Sequence, residues 1–345
     1  MRERGHDVLF VADDERPAAL ARWVYERLSD AAVRCERWPG RRWIDWLASR
    51  PGRRTTPENL DGLEHCLSPV PQNAVALVMR SWKPDVVVGS SLVRIAWRGV
   101  RREATTHGIP TVLYLREDVA LNHFAEGVLP ADAIVANARS IADRVEALGF
   151  ECAFVPSVIE TSITAVESTR RVALAINPIE SRGVELVWRI AAELPAISFV
   201  LQESWPLDPE TLDSVLERVD AHPNVEFRRH EPPGPSLYRD ARVLLVPYLV
   251  DNRPRVIAEA QANGIPVLVA DVAALQEAIG GGGIALPLEA TEAWCSAITL
   301  MWADDAAYHE LAERARSHSA RDEINPKLVA GGFESLLRRV LDQRG

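Results

Sequence analysis

Lysine is nearly absent from this chain. Of 39 basic residues only Lys83 and Lys327 are lysine, and the rest are arginine. The positive charge is therefore permanent, planar and fork-shaped, the form that grips phosphate oxygens in pairs. An excess of positive charge is also missing. The 345 residues carry a net charge of −10 with a pI near 5.4, which argues against broad nucleic-acid binding. Cysteine is scarce: Cys35, Cys66, Cys152 and Cys295 lie far apart with no C-x-x-C. They read as reduced, mostly buried thiols of a cytosolic protein. There is no H-E-x-x-H, and the eight histidines are scattered, so no metal site is inferred. No uncharged run approaches bilayer length, and the charged stretch Met1 to Asp7 is not the core of a signal peptide. Arginine in place of lysine, together with abundant alanine, is the composition of a GC-rich bacterial genome. What remains is a soluble globular chain, 47% apolar and 26% charged, long enough for two domains.

The pattern along the chain alternates strand and helix signals. Apolar runs at Val8 to Ala12, Val33 to Arg37, Val86 to Val88, Thr111 to Leu115, Ala133 to Ala136 and Cys152 to Val155 read as strands. Helices are expected from about Pro17 to Asp30 and from Val93 to Thr106. Residues 156–169 turn small and polar and read as a linker. The alternation then resumes with strands at Val172 to Ile176, Ile197 to Leu201, Val225 to Phe227, Val243 to Pro247 and Val267 to Ala270. Unbroken apolar runs of this kind are parallel strands buried on both faces, so two doubly wound α/β sheets are expected.

The most informative stretch is Asp251 to Pro287. Asp251 and Glu259 stand eight positions apart with Arg253, Pro254 and Arg255 between them. Proline suits a first helical turn, so a helix is expected to start at Pro254, with its amides and dipole available to an anion. Downstream come Ala260, Gly264, Ile265, Pro266 and Val267, then Leu275, Glu277 and the glycines Gly280 to Gly283. The four glycines have no lysine after them, so they are not a Walker loop and read as a turn.

This segment resembles the donor motif of the retaining glycosyltransferases of family 4: two acids eight positions apart, small residues, G-x-P-V, then a glycine-rich run. Here Asp251 replaces the family's first glutamate. The resemblance implies the GT-B fold, an α/β architecture of two Rossmann-like domains facing a cleft. Residues 1–160 would bind the acceptor and 161–325 the nucleotide sugar. Residues 326–345 would form a terminal helix crossing back to the first domain. By the same resemblance Asp251 faces sugar hydroxyls and Glu259 the ribose hydroxyls. Arg182, followed by Gly183, takes the place of the family's lysine-glycine pair at the diphosphate; its bland alternative is a cap on a surface helix. Asn177 stands where the family has an arginine, a loss of charge that Arg253 or Arg255 would restore. Arg255 precedes Val256 as in a G-R-V subset of the family. Asn252, Gln202 and His230 join the candidate donor residues.

Arg116, Glu117 and Asp118 directly follow the strand at 111–115. Three charges there point to acceptor or sugar contact rather than packing, with His123 nearby. Asp13 and Asp14, at the end of the first strand, are either acceptor anchors or caps for the helix at Pro17. Trp38, Trp43 and Trp46 among arginines suit a peripheral membrane surface or a large acceptor; packing against a sheet beneath a basic outer face is preferred. The resemblance thus implies a cytoplasmic transferase that needs no metal or cofactor. It would move a sugar from a nucleotide-diphosphate sugar, UDP-linked foremost, to a small-molecule or glycan acceptor. The alternatives are a GT-B epimerase, a transferase to sulfur or nitrogen, or a catalytically degenerate nucleotide-binding module.

Overall fold

A computed structural model describes residues 5–13, 56–60, 63–68, 71–90, 94–117, 121, 124, 130–231 and 234–343. The expected elements at 17–30 and 33–37, the tryptophans at 38, 43 and 46, and Asp14, Asp118 and His123 lie outside the described residues.

Strands β1 (Leu9–Asp13), β2 (Thr56–Leu60) and β3 (Leu63–Ser68) form a three-stranded sheet in the order β1-β3-β2. β1 is parallel to β3, and β2 antiparallel. β2 (TPENL) and β3 (LEHCLS) lack the apolar runs that make the other strands legible, so neither is expected from the sequence, and nor is the helix α1 (Pro71–Trp82). A four-stranded parallel sheet follows: β4 (Val87–Ser90), β5 (Thr111–Leu115), β6 (Ala133–Ala136) and β7 (Ala153–Phe154), adjacent in that order. Two helices accompany it, α2 (Arg94–Thr106) and α3 (Arg139–Ala147).

The second half is one six-stranded parallel sheet. Its strands are β8 (Val172–Ile176), β9 (Ser198–Gln202), β10 (Val225–Arg228), β11 (Ala241–Val246), β12 (Val267–Ala270) and β13 (Gly283–Leu286). Their spatial order is β10-β9-β8-β11-β12-β13. Every residue of β8 and of β12 is buried, because helices cover both faces. These are α4 (Val184–Glu193), α5 (Pro209–Asp220), α6 (Arg255–Ala262), α7 (Ala273–Ile279), α8 (Thr291–Ala303) and α9 (Asp305–Ser319). Trp188, Phe199 and Trp294 fill one face, and Tyr238, Ile257 and Ile265 the other. Truncating one such tryptophan to alanine costs about 3–5 kcal/mol in a packed core. The glycine run is a tight joint, not a ligand loop: an added Cβ at Gly282 would run into the Ala315 backbone of α9.

The last helix, α10 (Pro326–Asp342), starts on an Asn325 cap and a first-turn proline. It returns to the first half, where Phe333, Leu336, Leu337 and Val340 pack on Val112 and Val135 of the four-stranded sheet. A second tie between the halves is α7, whose Ala274 is buried in the first-half core with Ile141 and Val145. No helix among the described residues is long and apolar enough to cross a membrane.

Strand order reverses between β8 and β11. In open α/β sheets the crevice at such a reversal, beyond the carboxyl ends of the strands, is where ligands bind.

Candidate functional site

A cavity of about 330 Å³ lies at that crevice. Arg116, Glu117 and Asn137 line it from the first half. The second half contributes residues at the ends of β8 and β9, the loop after β11, and the start of α6. The halves also touch through backbone, since Glu117 and Asn252 form an isolated antiparallel bridge across the cleft.

Arg182 ends a 3-10 turn, Glu180–Arg182. Gly183 follows with φ +72, and a Cβ there would overlap the Pro247 carbonyl oxygen. Glycine is thus required on both counts, and it lets the turn lie against the β11 loop. The Arg182 guanidinium lies 4.4 Å from the Tyr248 ring centroid, and Nη2 is 3.7 Å from Glu117 Oε1. Its Nε and Nη1 are buried and hydrogen-bond nothing among the described residues. Burying unsatisfied charged donors costs about 1–3 kcal/mol or more each, a cost an anion in the cavity would relieve. Two carboxamide oxygens on the same cavity, Asn137 Oδ1 and Asn252 Oδ1, are also buried and unpaired.

Glu259 sits in α6 and lines the cavity. Its Oε2 accepts a 2.9 Å hydrogen bond from the Tyr238 hydroxyl. Burial, then the neighbouring Glu259 charge, push the Tyr238 phenol well above its ordinary range, so it stays protonated and donates. Arg255 and Val256 open α6 and line the cavity too. Pro254 is the residue before the helix, extended at φ −76 and ψ 142, not its first helical residue as the sequence implies. The displacement of one residue leaves the amides of the first turn at the cavity edge.

The remaining donor candidates divide. Asn177, left-handed at φ +59, receives the Ser204 amide on Oδ1 at 2.8 Å, which leaves its amino end as a neutral donor beside the cavity. Gln202 spends Nε2 on the carbonyls of Glu203, Arg228 and Arg229, so it braces loops rather than reaching out as a donor. Next to it, Glu203 is buried and takes the amides of Leu207 and His230, both at 2.8 Å. Burial opposes its charge, yet these amides and Arg229 outweigh it and lower the carboxyl's pKa. His230 therefore serves through its backbone, and its exposed side chain does not line the cavity. Trp205 and Tyr248, which sequence reasoning passed over, do line it.

Asp251 is the main correction. It is not among the cavity residues. Oδ1 accepts from the Ala274 amide at 2.9 Å, and Oδ2 lies 3.7 Å from Arg144 of the first half. The short side chain caps α7, whose own N-cap residue, Val272, has no side-chain acceptor. Arg253, expected with Arg255 to restore the charge lost at Asn177, is itself engaged. It lines the cavity but is 8% exposed, and it pairs with Glu277 and Glu323. Glu277 in turn takes the Arg139 and Ser140 amides at 2.8 and 3.4 Å, capping α3 from the other half. Asp251, Arg253 and Glu277 thus form the junction between the halves. Arg116 and Glu117 reach the cleft as expected. For Asp13 only the backbone position, at the end of β1, is described.

Residues 187–304 match the family described as Glycosyl transferases group 1. The D-inositol 3-phosphate glycosyltransferase of Corynebacterium urealyticum is 31% identical over 117 residues, covering 33% of this chain and 28% of that protein. The enzyme of the same name from Xylanimonas cellulosilytica is 36% identical over 109 residues, 31% of this chain and 25% of its own length. The match thus spans little more than a quarter of these curated relatives. Among solved structures, HepE of Anabaena in complex with UDP and glucose superposes with a TM-score of 0.70 at 12% identity, covering 96% of this chain and all of that one. Sucrose-phosphate synthase from Thermosynechococcus elongatus gives 0.67 at 13% identity, covering 84% and 86%. The chain therefore has the GT-B fold of these transferases, with a Glycosyl transferases group 1 domain in its second half.

Proposed function

We propose that the chain is a glycosyltransferase that takes a sugar from a nucleotide-diphosphate sugar and delivers it to a small-molecule or glycan acceptor. One observation carries this reading: the two unpaired, buried donors of Arg182 share a cavity with the amide-rich start of α6. A fixed fork and a helix N-terminus together suit a diphosphate. The UDP and UDP-glucose bound by HepE support a uridine donor.

In this reading Arg182 and the first-turn amides of α6 take the charge that grows on the departing diphosphate, so no metal is needed there. Glu259, held by Tyr238, accepts from the ribose hydroxyls. With Asp251 engaged at the junction, the sugar hydroxyls fall to Asn137, Asn252 and Glu117. The acceptor oxygen bonds to the anomeric carbon as the carbon–diphosphate bond breaks. The acceptor proton passes to the departing phosphate oxygen. Both events occur on one face, so the configuration is retained.

The test is UDP release from UDP-sugars with and without candidate acceptors, in the presence of a chelator. Acceptor-dependent, chelator-insensitive release is expected. Arg182→Ala should slow it by about two orders of magnitude, the usual effect of removing one such donor. UDP release or a new sugar isomer from donor alone would favour the epimerase. Nucleotide binding with no turnover would favour a binding module, the reading that Asp251 and the neutral Asn177 best support.

A further inference from the structure

Trp205 is 44% exposed, belongs to none of the buried apolar clusters among the described residues, and lines the cavity. An indole left half in water contributes little to folding, yet its loop is held firmly. Asn177 takes the Ser204 amide just before it. Glu203 takes the amides of Leu207 and His230 around it. Gln202 ties the start of the loop to the carbonyls of Arg228 and Arg229 on the neighbouring one. Buried polar side chains thus fix the backbone on both sides of an exposed aromatic ring. Pre-positioning of this kind reduces the entropy lost when a ligand binds.

We infer that Trp205 is the stacking platform for the nucleobase of the donor. This rests on the proposed donor site and adds the residue that recognises the ring. With the diphosphate at Arg182 and the start of α6, the nucleotide can run towards the first half or along the second. Arg116, Glu117 and Asn137 make the first-half end charged and polar, suited to a sugar. Glu259, placed for the ribose, is tied to Tyr238 beside Ser236 and Leu237 on the other side. The base therefore lies over the loops after β9 and β10, where Trp205 offers a flat apolar face and Glu231 and Ser236 offer polar edges. Stacking on an aromatic side chain tolerates any base, and its loss weakens binding by roughly tenfold per base.

The test is calorimetry of the wild type, Trp205→Ala and Trp205→Phe, each titrated with UDP and separately with inorganic pyrophosphate. The expected result is a UDP affinity about tenfold weaker in Trp205→Ala, largely kept in Trp205→Phe, with pyrophosphate affinity unchanged in both. Equal UDP affinity in wild type and Trp205→Ala would overturn the inference. So would equal losses of UDP and pyrophosphate affinity, because those would reflect a disturbed loop rather than a lost stack. A wild type that binds neither ligand would instead overturn the donor site itself.

Discussion

At the scale of single residues, Arg182 and Asp251 show how similar sequence signals lead to different fates. Both match a family motif by residue type and spacing. Arg182 enters the cleft with two donors unpaired. Asp251 spends both oxygens on Ala274 and Arg144. Residue type and spacing reveal where the chain passes, but not which way a short carboxylate turns once a helix end competes for it. The consequence is measurable. Asp251→Ala should lower stability by about 1 kcal/mol, the usual cost of losing a helix cap, and leave UDP affinity within a few-fold of wild type. Denaturant unfolding and calorimetry would check both; a large loss of affinity without loss of stability would restore Asp251 to the ligand. Tyr238→Phe makes the complementary case. It removes the 2.9 Å bond that orients Glu259 while keeping the ring, so KM for the donor should rise with little change in melting temperature.

At the scale of elements, the second-half sheet is legible because β8, β11 and β12 are apolar runs buried on both faces. β2 and β3 are not legible, because neither TPENL nor LEHCLS carries such a run. The joint at Gly183 is legible only in part: a glycine after Arg182 is visible, but its contact with the Pro247 carbonyl is tertiary. Gly183→Ala would place a Cβ at φ +72 against that carbonyl. Strain at such a backbone angle costs about 1–3 kcal/mol, and the overlap would push the Arg182 turn away from the β11 loop. A lower melting temperature together with loss of UDP binding is expected. Unchanged binding would show that the turn does not need this close approach. Gln202 marks the start of the loop bearing Trp205, but Trp205 itself carries no signal, since periodicity says nothing about an isolated aromatic ring outside helices and strands.

At the scale of the whole molecule, the cleft depends on a charged junction that motif matching shows only in part: it marks Arg253 and Glu277, but not their contacts with residues far away in the sequence. Arg139, Arg253, Glu277 and Glu323 meet between the halves. Burial raises the Glu323 carboxyl's pKa, but the hydrogen bond and charge of Arg253, with help from Arg321 and Arg139, outweigh it and lower the pKa overall. A lowered folded-state pKa stabilises the fold above the unfolded-state value, about 4.3, and that stability is lost as pH falls through the folded value. Stability should therefore drop as pH is lowered from about 5, and Glu323→Gln should flatten that dependence. Unfolding midpoints measured across that range would check it; identical pH profiles would remove Glu323 from the acid response.

A nucleoside diphosphate held by Arg182 in this cleft should raise the stability of the native protein. Thermal unfolding with saturating UDP, for wild type and Arg182→Ala side by side, tests it most directly. A ligand at about 100 times its Kd stabilises the native state by about 2.7 kcal/mol. A melting point several degrees higher with UDP is expected in the wild type, and little change in Arg182→Ala. No shift in the wild type with any nucleoside diphosphate, or the same shift in both proteins, would contradict it.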